Sequence, residues 1–194
     1  MVLRCYDPKD APLLKEAIDS SLGHLRPWMP WAENEPQPLE QKIELLRTFR
    51  GEFDLGTNFA YGVFEPDESR QIGGAGLHPR GGPGSLEIGY YVRADSIGRG
   101  LATEVAAVLT RVGFERCGLV RVDIQVDPAN ERSLKIPRKL GFVEEGRLRR
   151  RLAPHEDGGP RRDSVLFTML AEELAGSPCM RYAYRAYDVL GGPL

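Results

Sequence analysis

A chain of 194 residues is long enough for one domain with a full hydrophobic core and leaves room for no more than an appendage beside it. Its 26 Lys+Arg nearly balance 28 Asp+Glu, for a formal net charge of -2, so there is no global electrostatic reason to bind nucleic acid and any basic patch is local. The hydrophobic share of 41% is that of an ordinary globular protein, and no apolar run approaches bilayer length. Cys5, Cys117 and Cys179 lack the spacing of a disulfide framework or a zinc site. Arg4, Asp7, Lys9 and Asp10 interrupt the N-terminus before an apolar secretory segment forms. Together these features predict a cytoplasmic protein with no metal, membrane or nucleic-acid partner.

In chain order, Val2 to Tyr6 reads as a first strand. Asp10 is positioned to cap a helix with Pro12 in its first turn, apolar residues from Leu13 to Leu22 at helical spacing, and Gly23 as its end. From Gly23 to Pro38 the chain carries Pro27, Pro30, Pro36 and Pro38 together with both tryptophans, which predicts a stiff loop anchored by Trp28 and Trp31. A second helix is predicted from Leu39 to Phe53, with Leu39, Ile43, Leu46, Phe49 and Phe53 on one side.

Strands follow at Asn58 to Glu65, Gln71 to Leu77 and Leu86 to Val92, the first two joined by a turn at Pro66 to Ser69. A long helix is predicted from Gly100 to Arg116, closed by Gly118. Leu119 to Val126 alternates, with Val120, Val122, Ile124 and Val126 on one face. Another helix opens at Asn130 and ends at Gly141-Phe142, with Pro137 expected to weaken its last turn. A hairpin closes the pattern: Phe142 to Leu152, a turn through Pro154 to Pro160, then Asp163 to Leu170. This order predicts an α/β (α+β) mixed sheet with helices packed on it. The domain is expected over 1–175, with a tail at 176–194 that packs on it, covers a partner subunit or hangs loose.

Two motifs carry chemistry. Gly98-Arg99-Gly100-Leu101-Ala102-Thr103-Glu104 lies where a loop enters the long helix. Two glycines turn the backbone so that N–H groups converge, and the helix N-terminus adds free donors, a natural seat for a pyrophosphate. The same pattern also serves ordinary turns. It lacks the Gly-Lys-Ser/Thr of a Walker loop, and Thr103 stands where a dinucleotide fingerprint has a third small residue. The second motif is Asn130-x-x-Ser133, followed by Lys139-Leu140-Gly141-Phe142. Capping by Asn130 and a left-handed Gly141 account for it as plain helix punctuation.

In fixed order across Leu86 to Gly146, the Glu87-Ile88-Gly89-Tyr90 strand, the Gly98 loop-helix, Asn130-x-x-Ser133 and Lys139-Leu140-Gly141-Phe142 resemble the acetyl-CoA-binding core of the GNAT superfamily. The Leu25-Arg26-Pro27-Trp28 loop and the Arg161 to Phe167 strand are similar to its RimJ/RimL group of ribosomal-protein N-terminal acetyltransferases. The resemblance spans roughly Met1 to Leu174. It implies a GNAT fold of about seven strands, acetyl-CoA as cosubstrate, and an amine acceptor that is a peptide N-terminus or a small amine, with a homodimer as the assembly.

It also implies cofactor binding by Tyr91, Val92, Ile97, Gly98, Arg99, Gly100, Leu101, Ala102, Thr103 and Asn130. Glu87, at the start of its strand, is either the candidate base acting through water or a solvated glutamate at a strand end, and Ser133 is the implied donor to the departing thiolate. Trp28, Trp31 and His78 fall in the acceptor region. Trp28 and Trp31 either line the pocket or anchor the loop, and His78 is either an acid–base group or a surface residue. Ile97 occupies a place where the family usually has Arg or Gln, and Arg99 is the expected substitute cation. The arginines at 147, 149, 150, 151, 161 and 162 form a solvated hairpin face or a local patch for an acidic peptide or the 3′-phosphate of CoA. Rival functions are a small-amine acetyltransferase, a CoA-binding regulator without turnover, and a nucleotide-binding module.

Overall fold

A computed structural model describes residues 1–154 and 159–194. Its elements in chain order are β1 (Val2–Cys5), α1 (Ala11–Asp19), α2 (Leu22–Leu25), α3 (Leu39–Asp54), β2 (Phe59–Phe64), β3 (Gln71–His78) and β4 (Ser85–Val92). They continue with α4 (Leu101–Glu115), β5 (Arg121–Val126), α5 (Glu131–Leu140), β6 (Val143–Leu152) and β7 (Arg162–Leu170). The strands form one mixed sheet of seven, in the order β1-β2-β3-β4-β5-β7-β6. Neighbours are antiparallel except β4 and β5, which are parallel.

Strand alternation gives the sheet two unlike faces. One carries Val63, Leu77, Leu86, Ile88, Val122, Ile124 and Phe167, and buries them against Leu101, Val105 and Leu109 of α4 and Leu134 and Leu140 of α5. The opposite face of the first half carries Ala60 and Phe64 against Leu14 and Ile18 of α1 and Leu46 of α3. From β4 onward that second face turns polar, with Glu87, Asp123, Ser164 and Thr168 buried on it.

Several local expectations need correction. Asp7, not Asp10, provides the first cap, holding a 3-10 turn over Pro8–Asp10. The Asp10 carboxylate instead accepts the Asp7 N–H at 2.9 Å and pairs with Arg4 at 2.6 Å. Gly23 ends nothing: α1 stops at Asp19 and α2 runs through Gly23. The loop to Pro38 also contains a 3-10 turn at Pro30–Asn34. Val120 precedes β5 and is 61% exposed, so only Val122, Ile124 and Val126 form its buried row. Pro137 lies inside α5 without ending it, although it has no N–H to offer the Ser133 carbonyl four residues earlier. The turn through Pro154 to Pro160 lies in part outside the described residues. Past residue 176 the chain stays on the domain: a 3-10 turn at Pro178–Arg181 buries Cys179 in the main core, and Tyr184 bonds Glu115 of α4 at 2.7 Å.

Candidate active site

The site begins with a defect in the sheet. β4 and β5 pair only over Ser85–Glu87 and Arg121–Asp123, yet β4 continues to Val92 and β5 to Val126. β7 stays bonded along the whole of β5, so the two halves of the sheet part after Glu87. The far ends of the parted strands lead into the start of α4 and the start of α5, and both sequence motifs therefore converge on one cleft.

On the α4 side, Gly98 and Gly100 have φ of 81° and 82°, the left-handed region that side chains with a β-carbon avoid. Gly100 is the helix N-cap and has no side chain to occupy the helix donors. The first amide bonded back along the helix is that of Glu104, to the Gly100 carbonyl at 3.1 Å. The amides of Leu101, Ala102 and Thr103 thus stand at the positive end of a fifteen-residue helix, suited to a pyrophosphate. Arg99 is exposed and donates to Glu65 at 3.0 Å, so this cation is held at the end of β2. Ile97 is 43% exposed beside it.

On the α5 side, Asn130 accepts the Ser133 N–H at 3.1 Å, which accounts for its capping role. The Ser133 hydroxyl is turned elsewhere and lies 3.1 Å from the hydroxyl of Tyr90. Tyr90 shares the face of Leu86 and Ile88, and burial pushes its phenol up to about 12, so it stays protonated. Tyr90 is the residue that sequence reasoning passed over, although the alternation of β4 places it on the side of α4 and α5. Val92 lies on that same face, partly buried against the core. Tyr91 points the other way, with its ring edge-on to Trp31 at 5.4 Å and its hydroxyl accepting from Gln71 at 3.1 Å.

The opposite lip is polar. Glu87 is buried and accepts from Arg80 at 2.7 Å and from Gln125 at 2.8 Å. His78 is its cross-strand partner. Trp31 is 38% exposed on this side, and Trp28 is half-buried after α2. The structure thus gathers Glu87, His78, Tyr91 and Trp31 on one face, and Ser133, Asn130 and the Gly98–Thr103 loop at the other side of the cleft.

Burial, reinforced by Arg80, holds His78 down at about 4, and burial also lowers His24. Unfolded histidines bind protons near 6.5, so the unfolded state takes up more protons as pH falls from about 6.5 toward 4. Stability is therefore expected to decline through that window. Urea midpoints compared at about pH 7.5 and about pH 5 check this, and His78→Gln is expected to flatten part of the slope. A pH-independent midpoint contradicts it.

A parted parallel strand pair, an open helix N-terminus and paired hydroxyls across the gap are features that acyl transfer from a CoA thioester can use. A family model described as an acetyltransferase (GNAT) domain matches residues 1–143. The chain belongs to the GNAT acetyltransferases, and acetyl-CoA is its acyl donor. The N-acetyltransferase YoaA of Bacillus subtilis, itself uncharacterized, is 30% identical over 166 residues, covering 85% of this chain and 90% of its own. The Escherichia coli ribosomal protein uS5-alanine N-acetyltransferase is 26% identical over 151 residues, covering 75% of this chain and 76% of its own. Among solved structures, Mycobacterium smegmatis RimJ in complex with CoA-disulfide matches with a TM-score of 0.78 at 28% identity, over 92% of this chain and 86% of that one.

Proposed function

We propose that this chain acetylates the free N-terminal α-amine of a protein or peptide in the cytoplasm. The observation that carries this reading is the state of the acceptor lip. Both Glu87 oxygens already take N–H donors, from Arg80 and Gln125, and His78 is only weakly basic. Such a lip is suited to an amine with a substantial neutral fraction in solution. Near pH 7.5 about a quarter of an α-amine with pKa near 8 is neutral, against about a thousandth of a lysine amine near 10.4. The resemblance to the uS5-alanine N-acetyltransferase points the same way.

In this reading the acceptor's ammonium loses its proton to bulk water, and the neutral amine enters the cleft beside Glu87. The neutral nitrogen attacks the thioester carbon, forming a C–N bond. Collapse breaks the C–S bond, the nitrogen loses a second proton, and the sulfur gains one. Tyr90 and Ser133, 3.1 Å apart, form the donor pair for that sulfur. The Gly98 loop and the first amides of α4 hold the pyrophosphate.

The test compares a synthetic peptide with a free N-terminal alanine, the same peptide Nα-blocked but carrying lysine, and spermidine. Product is identified by mass spectrometry. Acetylation of the free N-terminus alone is expected, with Ser133→Ala and Tyr90→Phe each lowering kcat by about 10²-fold while acetyl-CoA binding is kept. Preference for spermidine or for the lysine peptide overturns the α-amine reading.

A further inference from the structure

His78 closes β3, on the face it shares with Gly76, Gly89 and Glu87. Its ring is fixed by a chain of hydrogen bonds reaching back to α3. Asn58 donates through Nδ2 to the Glu52 carboxylate at 2.8 Å. A carboxylate at that position requires the NH2 end of the amide, so Asn58 turns its Oδ1 toward His78. That oxygen lies 2.7 Å from Nδ1. Nδ1 therefore carries the hydrogen of the neutral ring, and Nε2 is left as a bare acceptor. Among the described residues no hydrogen bond reaches Nε2.

The bare nitrogen lies close over two glycines. A β-carbon at Gly76 would stand 2.4 Å from Nε2, and one at Gly89 would stand 3.3 Å away. Gly89 is the first residue on this face after Glu87, where β4 parts from β5. The lone pair of Nε2 is thus held at the lip of the cleft, across the sheet from the Tyr90–Ser133 pair. A histidine serving only to cover the strand end has no need of a fixed tautomer or of two glycines beneath it.

Resting on the amine-transfer reading above, we propose that His78 receives the acceptor: Nε2 takes one amine N–H and turns the nitrogen lone pair toward the thioester. Glu52 and Asn58 are positioning residues that keep Nε2 free of hydrogen. Because Nε2 only accepts, it offers no hydrogen bond to the amine's lone pair and leaves that pair free to attack. The partner is a primary amine with at least two hydrogens once neutral, which a peptide N-terminus other than proline supplies.

Steady-state kinetics with acetyl-CoA and the free N-terminal alanine peptide test this, alongside imidazole nitrogen NMR of the whole chain. His78→Ala is expected to lower kcat about 10²-fold, with KM for acetyl-CoA within about twofold. Asn58→Leu is expected to cost about tenfold by releasing the tautomer, and Gly76→Ala a similar amount by displacing the ring while keeping the imidazole. The wild-type spectrum is expected to show hydrogen on Nδ1, a bare Nε2, and an Nε2 resonance that moves when the peptide is added. Full kcat in His78→Ala, or hydrogen found on Nε2, overturns this inference and leaves the acetyl-transfer reading intact. If His78→Ala does not fold, Asn58→Leu at wild-type kcat overturns it in the same way. Failure of the wild-type chain to acetylate any of the amines tested overturns both.

Discussion

Gly100→Val is expected to abolish saturable acetyl-CoA binding in a chain that still folds. At φ 82° a β-branched residue is forced out of the left-handed region, and holding it there costs on the order of 1–3 kcal/mol. The simplest relief is a rotation of the Gly98–Gly100 backbone, which swings the Leu101 and Ala102 amides away from their common focus. Gly100 is exposed and a β-carbon there meets nothing within 4 Å, so the core is untouched. Gly56 is the control, since it is also exposed and left-handed with open space but lies at the end of α3. Gly56→Val is expected to lose similar stability and to bind acetyl-CoA normally. Binding by Gly100→Val at wild-type affinity contradicts the placement of the pyrophosphate at this loop.

The second large effect falls on stability. Lys42 lies on α3 with its side chain fully buried and ion-paired to Glu35, itself 3% exposed. The other Glu35 oxygen accepts the Gln37 N–H at 2.9 Å, and the Glu35 carbonyl accepts from Arg26 at 2.8 Å. One buried pair therefore pins the loop that carries Trp31 to the helix beneath it. Lys42→Ala leaves the Glu35 carboxylate buried without its cation and is expected to cost about 3–5 kcal/mol in urea unfolding. The double variant Lys42→Met with Glu35→Gln removes both charges and is expected to recover most of that loss. Where Lys42→Ala still folds, KM for the acceptor is expected to rise while acetyl-CoA binding is unchanged, if Trp31 lines the acceptor side as proposed. A loss below about 1 kcal/mol would mean that water reaches the carboxylate.

Much of the fold is legible in the sequence because its strands alternate and its helices carry apolar stripes. β2, β3, β4 and β7 start or end within a residue or so of where the pattern places them. The Gly98 and Asn130 motifs both stand just beyond the ends of the two strands that part.

Sidedness is harder to read. Tyr90 and Tyr91 are neighbours of the same type, and although alternation sends them to opposite faces, only the tertiary packing shows that Tyr90 meets Ser133 and Tyr91 meets Trp31. The Glu87 clamp is also tertiary, because Arg80 and Gln125 reach it from a loop and from another strand. Lys42 did leave a signal, standing three residues after Leu39 and four before Leu46 on the apolar stripe of α3. A lysine there reads as an interruption until Glu35 folds back to meet it. The seating of Cys179 had no such signal, since a 3-10 turn has too few residues to show a period.

The central claim is that the parted strands and the Gly98 loop form a seat for acetyl-CoA. A thermal-shift titration of the purified chain with acetyl-CoA, against CoA, ATP and NAD, tests it most directly, because a ligand of the folded state must raise the melting temperature by mass action. A saturable rise with acetyl-CoA and CoA, absent with ATP and NAD, is the predicted result. No rise at saturating acetyl-CoA, or an equal rise with ATP or NAD, would contradict it.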